Sequence, residues 1–222
     1  MDFIFMLTRQ DRTVEDCLAV VARIAPLGLK HIGFKDIGVD VQTLHALNTA
    51  IQSQGALSYL EVVATSAETA LRSAEVGATI GVDHILGGTQ VEETLKILGK
   101  YGVEYFPFPG LPSGHPTRLD GDAAMIEAHT QAFLAHGCAG VDLLAYRATQ
   151  AEPLELVHAA RRACGKAGKL ICAGDINSPA RVQTLRTAGV DAFTIGSAAF
   201  DGSFVPGAGD LLAQLREIIA CV

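Results

Sequence analysis

Two charged residues of this chain stand where charge is costly. Lys35 in "HIGFKDIG" and Glu61 in "LSYLEVVATS" each lie inside an apolar run of strand length. Side chains alternate across a strand, so Ile32 and Phe34 share one face while His31, Gly33 and Lys35 share the other. If the apolar pair packs beneath helices, Lys35 points into the interior. An ammonium there loses hydration, which depresses its pKa unless an anion compensates; it then suits general acid–base work or attack on a carbonyl as an amine. Glu61, one strand further on, can meet it. The couple is either acid–base machinery or a buried ion pair that fixes the fold. Asp36 either pairs with Lys35 or points outward.

A second constellation closes the chain. In "AGDINSPARVQTLRTAGVDAFTIGSAAFDGSF" two short apolar strands are each followed at once by glycine and small polar residues, and then by a helix. Gly174 and Gly196-Ser197 let the main chain approach a ligand, so that backbone N–H groups and a helix N-terminus can meet an anion such as phosphate. Ser197 and Asn177 can add a hydroxyl and an amide. Taken singly, each glycine is also explained as an ordinary turn residue.

Other strand ends supply further candidates. Asp175 can act as a base or bind a hydroxyl, or cap the turn at Asn177-Ser178. Arg9 and Arg147 have guanidinium groups suited to a carboxylate or second phosphate, with surface solvation as the alternative. His84, just before "LGGT", can shuttle a proton or bind substrate, or be a hydrogen-bonded core histidine. The segment Phe108 to Asp122, "FPGLPSGHPTRLDGD", holds three prolines and is long for a connection between elements, as expected of a cover that could bring in His115 and Arg118.

The elements that must position these groups alternate. Strands are predicted at Phe3–Thr8, His31–Lys35, Leu57–Val63, Val82–Leu86, Glu104–Phe108, Val141–Tyr146, Leu170–Ala173 and Ala192–Ile195, each followed by a helical pattern. Thr13, Ser66 and Ser178-Pro179 read as helix starts. Gly-Val-Asp recurs at Gly81–Asp83, Gly140–Asp142 and Gly189–Asp191, which reads as equivalent joints from helix to strand. Hairpin turn signals are missing, and near-continuous apolar strands point to a parallel sheet covered on both faces. Eight β/α units in 222 residues, without a linker, predict one domain over residues 1–222, an α/β (β/α)8 TIM barrel; an open doubly wound sheet is the rival.

Composition narrows the function classes. With 17 Lys plus Arg against 24 Asp plus Glu, a net charge of −7 and no basic stripe, nucleic acid is not an expected partner. An anion must be held by local dipoles and a few placed cations. Five scattered cysteines without metal-ligand spacing read as free thiols in a reducing cytoplasm, and the apolar run before Arg9 is too short for a signal peptide or a membrane span. No metal is expected, since no His/carboxylate cluster has ligand spacing. No cofactor is expected either, although glycines alone leave room for a flavin held by its phosphate.

"GVDAFTIGSAAFDGSF" resembles the last strand and short helix of the ribulose-phosphate-binding barrel superfamily, and "CAGDINSPARVQTLRTAGV" resembles its strand 7 unit. Together they cover about the last quarter of the chain. The superfamily includes ribulose-phosphate 3-epimerase, barrels of histidine and tryptophan biosynthesis, and the 3-keto-gulonate-phosphate decarboxylase group. The resemblance implies phosphate binding at Gly174, Gly196 and Ser197. The chain lacks the His-x-Asp-x-Met-Asp-Gly strand of the epimerase and the Asp-x-Lys-x-x-Asp strand of the decarboxylases, so no single member's activity carries over. The resulting expectation is a metal-independent enzyme acting on a small phosphorylated sugar or sugar acid, a lyase (aldolase or decarboxylase) working through an enolate or imine with Lys35, Glu61 and Asp175. A sugar-phosphate isomerase or epimerase needs the same enolate, and a non-catalytic phosphometabolite-binding protein is the alternative of another class. No membrane partner is expected, and a homo-oligomer is allowed but not specified.

Overall fold

The apolar runs become strands that are buried throughout because both of their faces are covered. Eight of them form a ring: β1 (Asp2–Met6), β2 (His31–Lys35), β3 (Leu57–Val62), β4 (His84–Gly87), β5 (Glu104–Phe106), β6 (Gly140–Leu143), β7 (Lys169–Cys172) and β8 (Ala192–Ile195). In the computed structural model, which describes residues 1–64 and 66–222, neighbouring strands pair in parallel in the order β6, β7, β8, β1, β2, β3, β4, β5. Two main-chain bonds bring the ends together, from the amide of Ala139 to Tyr105 O (3.1 Å) and from that of Asp142 to Pro107 O (3.0 Å). The fold is the expected (β/α)8 barrel.

The period of two divides each strand between two layers. Phe3, Phe5, Ile32, Phe34, Val141, Leu143 and Phe193 belong to the layer beneath the helices, whereas Ile4, Met6, Tyr59, Leu86, Phe106 and Ile171 fill the barrel. The outer ring consists of α1 (Cys17–Ile24), α2 (Val41–Ser53), α3 (Ala67–Ile80), α4 (Val91–Leu98), α5 (Ala123–Ala135), α6 (Pro153–Cys164), α7 (Pro179–Thr187), a one-turn α8 (Ser197–Phe200) and α9 (Leu211–Ala220). Ser66 caps α3 by accepting from the Thr69 amide, and Ser178 caps α7 with Pro179 in its first turn.

Several expectations are corrected. Thr13 does not start a helix; α1 begins at Cys17, and Thr13 belongs to a hairpin. That hairpin pairs Thr8 with Thr13 and Arg9 with Arg12, so β1 ends at Met6 and the chain reverses. A second hairpin, Leu111–Ser113 with Arg118–Asp120, builds the long segment after β5. The predicted strand to Tyr146 stops at Leu143 and continues as a 3-10 turn, Ala145–Arg147.

The Gly-Val-Asp repeat is equivalent at only two of its three positions. Gly81 and Gly189 take left-handed φ values of 79° and 80° behind α3 and α7. The aspartates that follow them then staple the start of the preceding strand: Asp83 Oδ2 accepts from Ser58 N (2.8 Å) and Asp191 Oδ2 from Leu170 N (2.7 Å). Gly140 is instead the first residue of β6, where a Cβ would come within 1.9 Å of Lys169 O. The strand has slid along the motif, which moves Asp142 from the joint into the barrel. Asp191→Ala, which leaves the buried Leu170 N–H without its acceptor, should cost about 1–3 kcal/mol in urea denaturation, and Asp191→Asn distinctly less.

Candidate functional site

Lys35 ends β2 and Glu61 lies beside it in register on β3. Both point inward and are buried, at 4% and 3% exposure. Lys35 Nζ donates to Glu61 Oε1 at 3.0 Å and to Asp11 Oδ1 at 2.6 Å. The other oxygen of Asp11 accepts from Arg147 Nη1 (3.0 Å) and from the Thr117 amide (3.0 Å). Thr13 Oγ1 pins the end of β2, donating to Lys35 O and accepting from Lys35 N, both at 2.8 Å. Two cations and two anions are thus interleaved at a buried site.

Asp11 reaches this site from the tip of the first hairpin, where Gln10 and Asp11 both adopt positive φ, 48° and 62°. Left-handed geometry at both central residues marks a two-residue type I′ turn, whose twist matches its strands. Sequence reading placed Asp11 in a connection and missed it. The signal was present in the near-palindrome Thr-Arg-Gln-Asp-Arg-Thr, which folds back on itself about Gln10-Asp11. Thr117 was also missed: the cover over the mouth reaches the site through its amide and carbonyl, whereas His115 and Arg118 are exposed.

The electrostatics reverse one expectation. Burial alone would depress the Lys35 ammonium, but the carboxylates of Glu61 and Asp11 outweigh it and hold its pKa above that of an ordinary lysine. Burial would likewise raise Asp11, yet Lys35 and Arg147 pull it well below the usual carboxylate range. Lys35 is therefore a charged donor at neutral pH.

A cavity of about 230 Å³ opens above these groups at the C-terminal end of the strands. Its walls include Asp11, Lys35, Glu61 and Arg147 together with Gly174, Asp175, Asn177, Gly196 and Ser197. Among the described residues, the amides of Asp175, Ile176, Gly196, Ser197 and Ala198 make no hydrogen bond within the protein. The two glycines also have reasons internal to the fold. A Cβ on Gly196 would meet Thr8 Oγ1 at 2.4 Å, and one on Gly174, at φ 77°, would meet Arg147 Nε at 2.6 Å. Asp175 is exposed at the mouth, its Oδ1 3.7 Å from Arg147 Nε. Arg181 lies over the Tyr146 ring behind it.

Two candidates lie elsewhere. Arg9 does not line the cavity; it pairs with Asp201, which does, at the cavity's edge (Nε to Oδ1, 2.9 Å) above Phe200. His84 is the first residue of β4, at the opposite end of the barrel, against the Tyr59 ring and 3.2 Å from Glu104. Asp36 does not pair with Lys35 and accepts from the Val63 amide. Among the described residues no group of three or more His, Cys, Asp or Glu side chains is disposed to hold a metal, and no helix is long and apolar enough to cross a membrane. All five cysteines are unpaired.

No protein-family model matches this chain. No curated protein matches it either. Solved structures do. A native KDPGal structure aligns over 100% of this chain and 96% of its own at 14% identity, with a TM-score of 0.70. A 3-hexulose-6-phosphate synthase covers 100% of both chains at 15% identity and TM-score 0.64. An orotidine 5'-phosphate decarboxylase from Pyrococcus horikoshii covers 99% of this chain and 98% of its own at 11% identity and TM-score 0.64. The shared feature is the fold, and it is the one implied by the resemblance to ribulose-phosphate-binding barrels.

The depressed Asp11 pKa fixes a sign. Its stabilising contribution is present above the unfolded value of 3.8 and is lost as pH falls toward the folded value. Asp11→Asn should therefore be less stable than wild type at pH 7, and the gap should shrink as pH drops below 3.8 in denaturant titrations. A gap that stays constant with pH would remove Asp11 from the ionised network.

Proposed function

We propose that this protein is an enzyme acting on a small phosphorylated sugar or sugar acid, and specifically a lyase that breaks a carbon–carbon bond beside a carbonyl. One observation carries the reading: a single cavity is lined both by unpaired main-chain amides at the ends of β7 and β8 and by the buried Lys35 with its carboxylates. Unpaired amides lining one cavity suit a phosphate without a cation, which matters for a chain of net charge −7. Structures of similar fold include an aldolase, a decarboxylase and a synthase, each of 11–17% identity.

In this reading Gly196, Ser197 and Ala198, with the Gly174–Asn177 turn, hold the phosphate and so fix the substrate's carbonyl oxygen near Lys35 Nζ. When the bond next to the carbonyl breaks, its electron pair moves onto that oxygen and an enolate forms, while the other fragment leaves as carbon dioxide from a carboxylate or as an aldehyde whose hydroxyl proton passes to Asp175. The Lys35 ammonium stabilises the new negative charge and then donates a proton to the carbon, recovering one from solvent. Glu61 and Asp11 keep Lys35 charged until that moment. An imine route requires a neutral amine, which two flanking carboxylates oppose. Arg147 and Asp175 lie where a second polar end of the substrate would sit.

Lys35→Met should lower kcat/KM by about 10²–10³-fold or more on any active keto-sugar phosphate. Borohydride added with substrate should leave Lys35 unmodified; a reduced adduct on it would establish the imine route, and solvent deuterium uptake without cleavage would turn the reading to an isomerase or epimerase. In an amide NMR titration with inorganic phosphate, the Gly196, Ser197 and Ala198 signals should move first, and Ser197→Ala should weaken the affinity by about tenfold. Tight sugar-phosphate binding with no turnover would leave a binding protein.

A further inference from the structure

β6 carries an ionisable group that the preceding scheme does not use. Asp142 has 0% exposure and lies on the interior face of β6, since Val141 and Leu143 on either side belong to the layer beneath the helices. Neither of its carboxyl oxygens has a hydrogen-bond partner among the described residues. The charged and titratable groups around it are Glu61 from β3, Lys35 from β2, Arg147 from the turn after β6 and the Cys172 thiol from β7. An ionised carboxylate without a donor in such a site is costly, and taking up a proton removes the cost. Burial first, and then the Glu61 charge, push the Asp142 pKa well above the usual carboxylate range, against the pull of Lys35 and Arg147. Glu61 differs in having Lys35 Nζ at 3.0 Å. Where two carboxyl groups share one buried region, the paired one keeps the charge and the unpaired one keeps the proton.

We propose that Asp142 is a positioning residue that works through Glu61: the two carboxyl groups together hold one proton and one negative charge, with the proton on Asp142 and the charge on Glu61 beside Lys35. With Asp142 neutral, Lys35 and Arg147 balance Glu61 and Asp11, so the base of the cavity presents no net negative charge to a phosphorylated substrate. Ionised, Asp142 would add a third anion for two cations to serve. Only this last consequence rests on the proposed function, because the protonation belongs to the ligand-free protein.

Infrared spectroscopy of the ligand-free protein tests the assignment. Wild type at pH 7 should show a protonated-carboxyl stretch that Asp142→Asn lacks, and in Glu61→Gln that band should titrate away at a pH lower by about one unit or more. A structural role alone would not move it. Asp142→Asn should also gain thermal stability over wild type progressively as pH rises above 3.8, since a carboxyl whose pKa is raised by folding loses stability in that direction. Carbon-13 labelling of aspartate in the wild type identifies the protonated carboxyl even if the asparagine variant does not fold. An Asp142 already ionised at pH 7, or a titration unmoved in Glu61→Gln, would overturn the proposal. A protein that shows this titration but turns over no sugar phosphate would sink the functional reading and leave this one standing.

Discussion

The architecture of the site depends on how one ammonium is kept inside a barrel. Lys35 is almost fully buried, and a cation there is tolerable only with partners of opposite charge at hydrogen-bond distance. Glu61 and Asp11 supply them. Glu61 comes with the register of β2 on β3, but Asp11 requires a hairpin after β1, a turn with two left-handed residues, and Arg147 and Thr117 to occupy its second oxygen. Removing one partner would strand a charge, so five separate segments are committed to a single arrangement.

That arrangement also explains the mouth of the barrel. Arg147 satisfies Asp11, and its side chain crosses the position where Gly174 would otherwise carry a Cβ. The cover after β5 is tied down through the main chain of Thr117, by its amide to Asp11 and by its carbonyl to Arg147. The turn at Gly174, the cover and Lys35 are therefore joined through Asp11 and Arg147.

Much of this was legible in the sequence where periodicity carries the information. The inward direction of Lys35 follows from the pleat of "HIGFK", and the eight β/α units define the barrel because strands buried on both faces have few polar positions. The capping serines at 66 and 178 read directly, since an N-cap is a local interaction. What escaped was set by register and by turns. The tripeptide Gly-Val-Asp looks the same three times, yet a strand that starts three residues earlier relative to the motif turns a staple at Asp83 and Asp191 into the buried acid Asp142. Asp11 escaped because a type I′ turn without glycine leaves little trace. Arg9 and His84 stood near the right strands, but Asp201 takes up the charge of the first and the strand start places the second at the far end.

The most direct test of this account is to titrate Lys35 itself, by NMR of the ligand-free protein with lysine labelled at Nζ. Flanked by Asp11 and Glu61, Lys35 should stay protonated through the ordinary lysine value of 10.5, with a slowly exchanging ammonium signal that is absent from Lys35→Met. A Lys35 amine that loses its proton near neutrality would contradict the account, returning the buried lysine to the role of a nucleophile.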